Sequence, residues 1–134
     1  MPMTGKAILA LWNDVAREHE EEYLDWHDRE HLPERMGVSG FRTGRRYVRP
    51  ESDFLRYFTL YEADDVDVFT GEEYVARINS PTAWTRKMMP HLRNFRRIVG
   101  EVLLSEGEGI GGAIATVTFE AARREPPEPI GKRV

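Results

Sequence analysis

An α+β fold, with four antiparallel strands in one sheet and helices packed on a single face, is what these 134 residues predict. Three observations lead there. Apolar and alternating runs follow one another as strand, helix, strand, strand, helix, strand, the split βαβ or ferredoxin-like order. The run KAILALW at 6–12 is apolar on both alternating faces, the pattern of a strand covered on two sides. A hydrophobic content of 40% in a chain of this length suits one domain with a modest core.

Residues 6–12 read as the first strand, stopped by Asn13 and Asp14. The acidic run from Glu18 to Glu22 opens a helix that continues to about Met36, its carboxylates suited to the positive end of the helix dipole. Pro33 lacks an amide donor and is expected to distort that helix or end it early. Gly37 and Gly40 flank a turn into FRTGRRYVR at 41–49, where Phe41, Thr43, Arg45 and Tyr47 alternate with Arg42, Gly44, Arg46 and Val48. This is a second strand with two unlike faces. A polar turn at 50–53 joins it to the aromatic third strand at 54–63, forming a hairpin.

Asp64 and Asp65 lead into Val66, Val68, Phe69, Tyr74, Val75 and Ile78, whose spacing predicts a second helix ending near Ser80-Pro81. Residues 82–89 add a short helical stretch closed by Pro90, and 92–106 carries the fourth strand, with Gly100 read as a bulge. The ferredoxin-like domain thus occupies 1–106. Residues 107–134 read as a Gly-rich linker, an extra strand at 111–122 and a Pro-rich charged tail. The extra strand is expected to pair with an edge of its own sheet or of a partner's. Strands one and four are apolar on both faces, so a second copy is expected to cover the far side of the sheet, making a homodimer.

The formal net charge of −4 argues against a nucleic-acid partner, and the arginines at 42–49 and 93–97 read as solvated or ion-paired. With no cysteine, disulfides and thiolate chemistry are excluded. The start of the chain lacks a signal-peptide pattern and no apolar run reaches membrane-spanning length, which predicts a soluble cytoplasmic protein with no membrane contact.

The stretch DWHDREHLPERMGVSGFRTGRRYV carries His27, His31, Leu32-Pro33 and Gly40-Phe41 ahead of a strand. In these elements, and in its strand order over about 5–104, the chain resembles the EthD-like branch of the dimeric α+β barrel superfamily. The resemblance implies a pocket in each subunit between the sheet and the helices, lined by the first helix. It also implies a range of chemistries: cofactor-free oxygenation, isomerisation, cyclisation or haem binding.

On a helical wheel His27 and His31 lie within about 40° of one another, so both imidazoles can face the sheet. The pentapeptide HDREH also fits H-x-x-E-H, with Glu30 as a base beside two metal ligands, but that pattern needs a third ligand and a larger scaffold. Gly107 to Gly112 formally satisfies G-x-G-x-x-G, yet a strand rather than a helix follows, so it reads as linker.

Acid-base work is the better use of the histidines. His31 is the expected proton carrier and His27 its orienting or substrate-holding neighbour, without metal or cofactor. The plainer reading gives His31 to a backbone carbonyl. Trp12, Trp26, Tyr47, Tyr57, Phe58 and Tyr61 offer walls for a planar ligand, most of them as part of the core. Arg45 or Arg46 is its anion anchor, according to which face of the second strand meets the helices. The sequence therefore predicts an isomerase, cyclase or cofactor-free oxygenase acting on an aromatic or polyketide-like molecule. Its rivals are a non-catalytic ligand-binding or scaffold dimer and a haem or metal carrier.

Overall fold

The computed structural model describes residues 3–120. Strands β1 (Ala7–Val15), β2 (Phe41–Val48), β3 (Tyr57–Ala63) and β4 (Leu92–Glu101) form one antiparallel sheet in the spatial order β2-β3-β1-β4. β1 lies between β3 and β4 and is apolar on both of its faces. Ala7 and Leu9 are buried against the helices while Ala10 is buried on the other face.

Asn13 and Asp14 do not stop β1, which runs on to Val15. Asp14 is buried, and its carboxylate accepts from the Leu55 amide at 2.9 Å, the Arg56 amide at 2.6 Å and the Asn94 side-chain amide at 2.8 Å. It holds two left-handed residues, Leu55 at φ 49° and Asn94 at φ 53°. The irregularity in β4 falls there, opposite Trp12 to Asp14, and not at Gly100, which stays in register with Ile8.

The first helical region comprises α1 (Glu20–Trp26), a π turn (His27–His31) and α2 (Leu32–Met36). Glu20 ties α1 to β3 by accepting from the Tyr57 hydroxyl at 2.7 Å and from Arg56 Nε at 2.8 Å. The Tyr57 bond is the main cause holding the Glu20 carboxyl below its ordinary range, with Arg56 adding to it against the effect of burial. Pro33 distorts the helix without ending it. A proline ring crowds the carbonyl four residues back, here Arg29, and the helix is widened at that point, with the Leu32 amide reaching His27 O.

The second helical region is split, because Asp65 caps a 3₁₀ turn at Val66–Phe69 and Gly71 then starts α3 (Glu72–Asn79). α4 (Ala83–Met88) follows, capped by Thr82. Gly40 has no substitute at its position: φ is 95°, and a Cβ would stand 2.5 Å from Val68 Cγ2.

Two apolar clusters lie between these helices and the sheet, one around Leu9, Phe41, Tyr61 and Tyr74 and the other around Tyr23, Trp26, Tyr57 and Met88. A bulge at Arg42 decides the faces of β2. Phe41 pairs with Ala63 but Thr43 pairs with Glu62, so the alternation slips by one. Phe41, Gly44, Arg46 and Val48 therefore look toward the helices, while Thr43, Arg45 and Tyr47 look away. This corrects the reading that put Phe41 on one face with Arg45 and Tyr47.

The extra strand expected at 111–122 is also corrected over its described part, since 111–120 carries no strand pairing and 121–122 lies outside the described residues. Ile114, Ala115 and Thr116 instead line a crevice with Trp12, Tyr47 and Phe58, over the middle of the open face. There β1 and β3 already have neighbours on both sides, leaving no free backbone groups for the incoming segment to pair with.

Candidate functional site

Between the helices and the sheet lies a cavity of about 360 Å³. Leu11 and Asn13 of β1, with Thr59 of β3, form its floor, and Tyr23, Trp26, His27 and His31 line its helical side. Tyr23, Trp26 and His27 fall on one side of a helix by their spacing, which brings them inward together. Burial raises the Tyr23 phenol to about 12, and its hydroxyl donates to Asn13 Oδ1 at 3.3 Å.

His27 is fixed by β2. Arg46 Nη1 donates to His27 Nδ1 at 2.9 Å and to Asp28 Oδ1 at 2.6 Å. A guanidinium has no acceptor, so His27 Nδ1 must be the unprotonated nitrogen and the neutral ring carries its proton on Nε2. Burial first, and the Arg46 charge second, lower the His27 pKa to about 4 against the opposing pull of Asp28.

One turn on, His31 stacks on Trp26 with ring centroids 4.5 Å apart and stands 5.6 Å from the His27 ring. Trp26 is in turn held by donation from Nε1 to Thr85 Oγ1 at 3.2 Å. Burial, then the charge of Arg35, lowers the His31 pKa to about 3. Both imidazoles are therefore neutral at cellular pH. His31 is not a helix cap, since its Nδ1 is buried with no hydrogen-bond partner. Thr59 Oγ1 and the Tyr61 hydroxyl share that condition. Buried polar atoms without partners cost about 1–3 kcal/mol each, so their grouping at and beside one cavity is uncommon.

Glu30 is committed elsewhere: Thr82 Oγ1 donates to its carboxylate at 2.6 Å and Thr85 Oγ1 lies at 3.4 Å. It links the π turn to α4, which leaves it no role as the base of a histidine pair. Among the described residues no group of three or more His, Asp or Glu side chains is placed to hold a metal ion.

The residues proposed from sequence divide between two places. His27 and His31 line the cavity; Arg46 is bonded to His27; Tyr61 lies in the core beneath, and Tyr57 packs on Tyr23 with centroids 5.0 Å apart. Trp12, Arg45 and Tyr47 stand on the opposite face, where Trp12 packs on Phe58 at 4.9 Å, so they do not join the cavity. The Arg42 bulge decided this for Arg45 and Tyr47, and the ordinary alternation of β1 decided it for Trp12. Trp26, expected as an aromatic wall, does line the cavity, whereas sequence reasoning passed over Thr59 and the lining arginines Arg35 and Arg77 and read Arg97 with its cluster as solvated or ion-paired. For Thr59 a signal existed: it is the one small polar residue on the inward face of an aromatic strand, between Tyr57 and Tyr61.

Fold and cavity together define a ferredoxin-like α+β protein with an open, small-molecule-sized pocket. Comparison with solved structures agrees on the fold. The chain is similar to a dimeric ferredoxin-like protein from an uncultured marine organism, with TM-score 0.62 and 15% identity over 79% of this chain and 95% of that one. It is also similar to an ethyl tert-butyl ether degradation (EthD) family protein from Bacillus halodurans, with TM-score 0.50 and 16% identity over 75% of this chain and 100% of the other. The haem degrader MhuD of Mycobacterium tuberculosis, with two haems bound in its active site, gives TM-score 0.51 and 17% identity over 75% and 99%. No family model matches the chain, and no curated protein matches it. The expected likeness to the EthD-like dimeric α+β barrels therefore holds at the level of fold. Among the described residues no helix is long and apolar enough to cross a membrane.

Proposed function

We propose that this protein binds a small, largely apolar, aromatic or polyketide-like molecule in the His31 cavity and moves a proton on it, as an isomerase, cyclase or cofactor-free oxygenase of EthD-like type. The observation that carries this is the grouping of two neutral imidazoles and an unpartnered Thr59 hydroxyl at one cavity of about 360 Å³, a volume suited to small ligands. His31 is the proton carrier. Burial penalises an isolated imidazolium, but not one paired with the enolate or phenolate created as the proton leaves the substrate. His27, held in one tautomer by Arg46, offers its Nε2 proton as a hydrogen-bond donor to the developing oxyanion.

The test follows deuterium uptake at the acidic carbon of aromatic ketones and 1,3-diketones in heavy water. Exchange above the buffer rate that is lost in His31→Ala supports the proposal. Binding of the same compounds with no exchange above that rate transfers the site to its rival, a non-catalytic ligand-binding protein. The low pKa values favour that rival, because a weak base abstracts only acidic protons. A haem carrier is the remaining reading, supported by the partnerless Nδ1 of His31 and by the bound haems of MhuD. A Soret shift on adding haemin that disappears in His31→Ala would favour it, and no shift ends it.

The same reading includes a cytoplasmic homodimer joined through the open face, where the exposed Ile98 stands beside Ala10 and the half-buried Leu60. Ile98→Glu is expected to convert dimer to monomer in analytical ultracentrifugation. A monomeric wild type removes this part.

A further inference from the structure

The cavity has a second polar feature that proton transfer does not use. Its described lining includes three guanidiniums, Arg35, Arg77 and Arg97, against one carboxylate, Glu34. Glu34 is answered by Arg35 at 3.1 Å. Arg77 and Arg97 form no ion pair among the described residues. Both are nonetheless oriented. Arg77 Nη1 donates to the Glu34 carbonyl at 3.2 Å, and Arg97 Nη2 to the Tyr74 hydroxyl at 3.4 Å. The Tyr74 ring also has the Arg35 and Arg97 guanidinium carbons within 5.7 and 6.0 Å of its centre. Glu73, the acid that feels the Arg77 charge, already accepts from the Ser39 amide at 2.9 Å. Each of the two arginines thus keeps most of its five N–H donors uncommitted beside an apolar cavity.

We infer that the ligand is amphiphilic, with a carboxylate held by Arg77 and Arg97 and an apolar ring system lying against Leu11 and Phe95. Two forked guanidiniums suit a planar carboxylate better than a neutral group. This inference rests on the cavity being a ligand site and names the class of ligand it selects.

The probes are naphthoate and its neutral counterpart naphthamide, titrated into the full chain while the imidazole resonances of His31 are followed by NMR. Both are expected to shift His31, with naphthoate binding about tenfold tighter or more. In Arg77→Gln/Arg97→Gln the two affinities should fall within about threefold of each other, with naphthamide binding unchanged. Should the double variant fail to fold, the wild type decides by salt: high ionic strength weakens naphthoate and spares naphthamide. Equal affinities in the wild type, a preference that survives the double substitution, or a flat salt response would overturn the carboxylate assignment and leave the cavity standing as a ligand site. If neither probe moves His31, the ligand site itself falls, and the assignment with it.

Discussion

The two faces of the sheet are built from the same four strands yet differ in where buried polar atoms are left without partners. On the open face polar side chains find one another. Thr43 Oγ1 donates to Glu62 at 2.9 Å, and Glu62 also accepts the amides of Thr4 at 2.8 Å and Gly5 at 3.0 Å. On the helical face Thr59 and Tyr61 keep hydroxyls without partners, and His31 keeps a ring nitrogen without one. Three such atoms lie together at or beside the cavity, which makes the helical face the one to test.

The largest expected effect tests the rigidity of that face. Trp26 is 1% exposed and stacks on His31. Trp26→Ala should cost about 3–5 kcal/mol in urea denaturation, and probe binding should fail with it. Next comes pH. The folded pKa values of His27 and His31, about 4 and about 3, lie below the ordinary 6.5, so the unfolded chain binds more protons over this interval. Stability is complete above pH 6.5 and is lost as pH falls toward 4 and below, by on the order of a few kcal/mol. Urea midpoints measured between pH 7 and pH 4.5 should show the fall, and His27→Gln/His31→Gln should flatten it. An unchanged slope in that variant would mean the imidazoles are not buried as neutral groups.

A paired substitution sharpens the comparison directly. Thr59→Val removes a hydroxyl that has no partner and should stabilise the fold by about 1 kcal/mol, whereas Thr43→Val breaks a bond on the open face and should destabilise it by about the same amount. Equal signs for the two would erase the distinction between faces. Arg46→Met removes both the charge and the donor at His27 Nδ1. The His27 pKa should rise from about 4 but stay below 6.5, because burial is the larger cause, and the proton should begin to populate Nδ1, as ¹⁵N NMR of the ring would report. The smallest effect is expected at Arg45, on the far side of the sheet. Arg45→Gln should change stability by no more than about 0.5 kcal/mol and leave probe binding in the cavity unaltered.

Much of this was legible beforehand. The order of elements, the turn at Gly40 and the inward pair His27 and His31 follow from periodicity, because a strand alternates every two residues and an inward helix face recurs every three or four. Trp12 faces away from the pocket by the plain alternation of β1, whereas Tyr47 and Arg45, one of the two arginines offered as anchor, do so for another physical reason. A single extra residue at Arg42 reverses the sense of alternation, and no residue type announces it. The segment after Gly111 misled in another way. Its composition suits a strand, but a strand needs a free edge, and the described part of this segment lies over strands already paired on both sides.

By itself the sequence determined the class of fold and the helix that bears the histidines, since both depend on local pattern and on the burial of apolar faces. Only the tertiary structure decided that Arg46 sets the His27 tautomer, that Glu30 is taken by Thr82, and that Arg77 and Arg97 meet at the same cavity as His31. Those are pairings across tens of residues, where register and bulges, not propensity, select which side chains come within reach of a hydrogen bond.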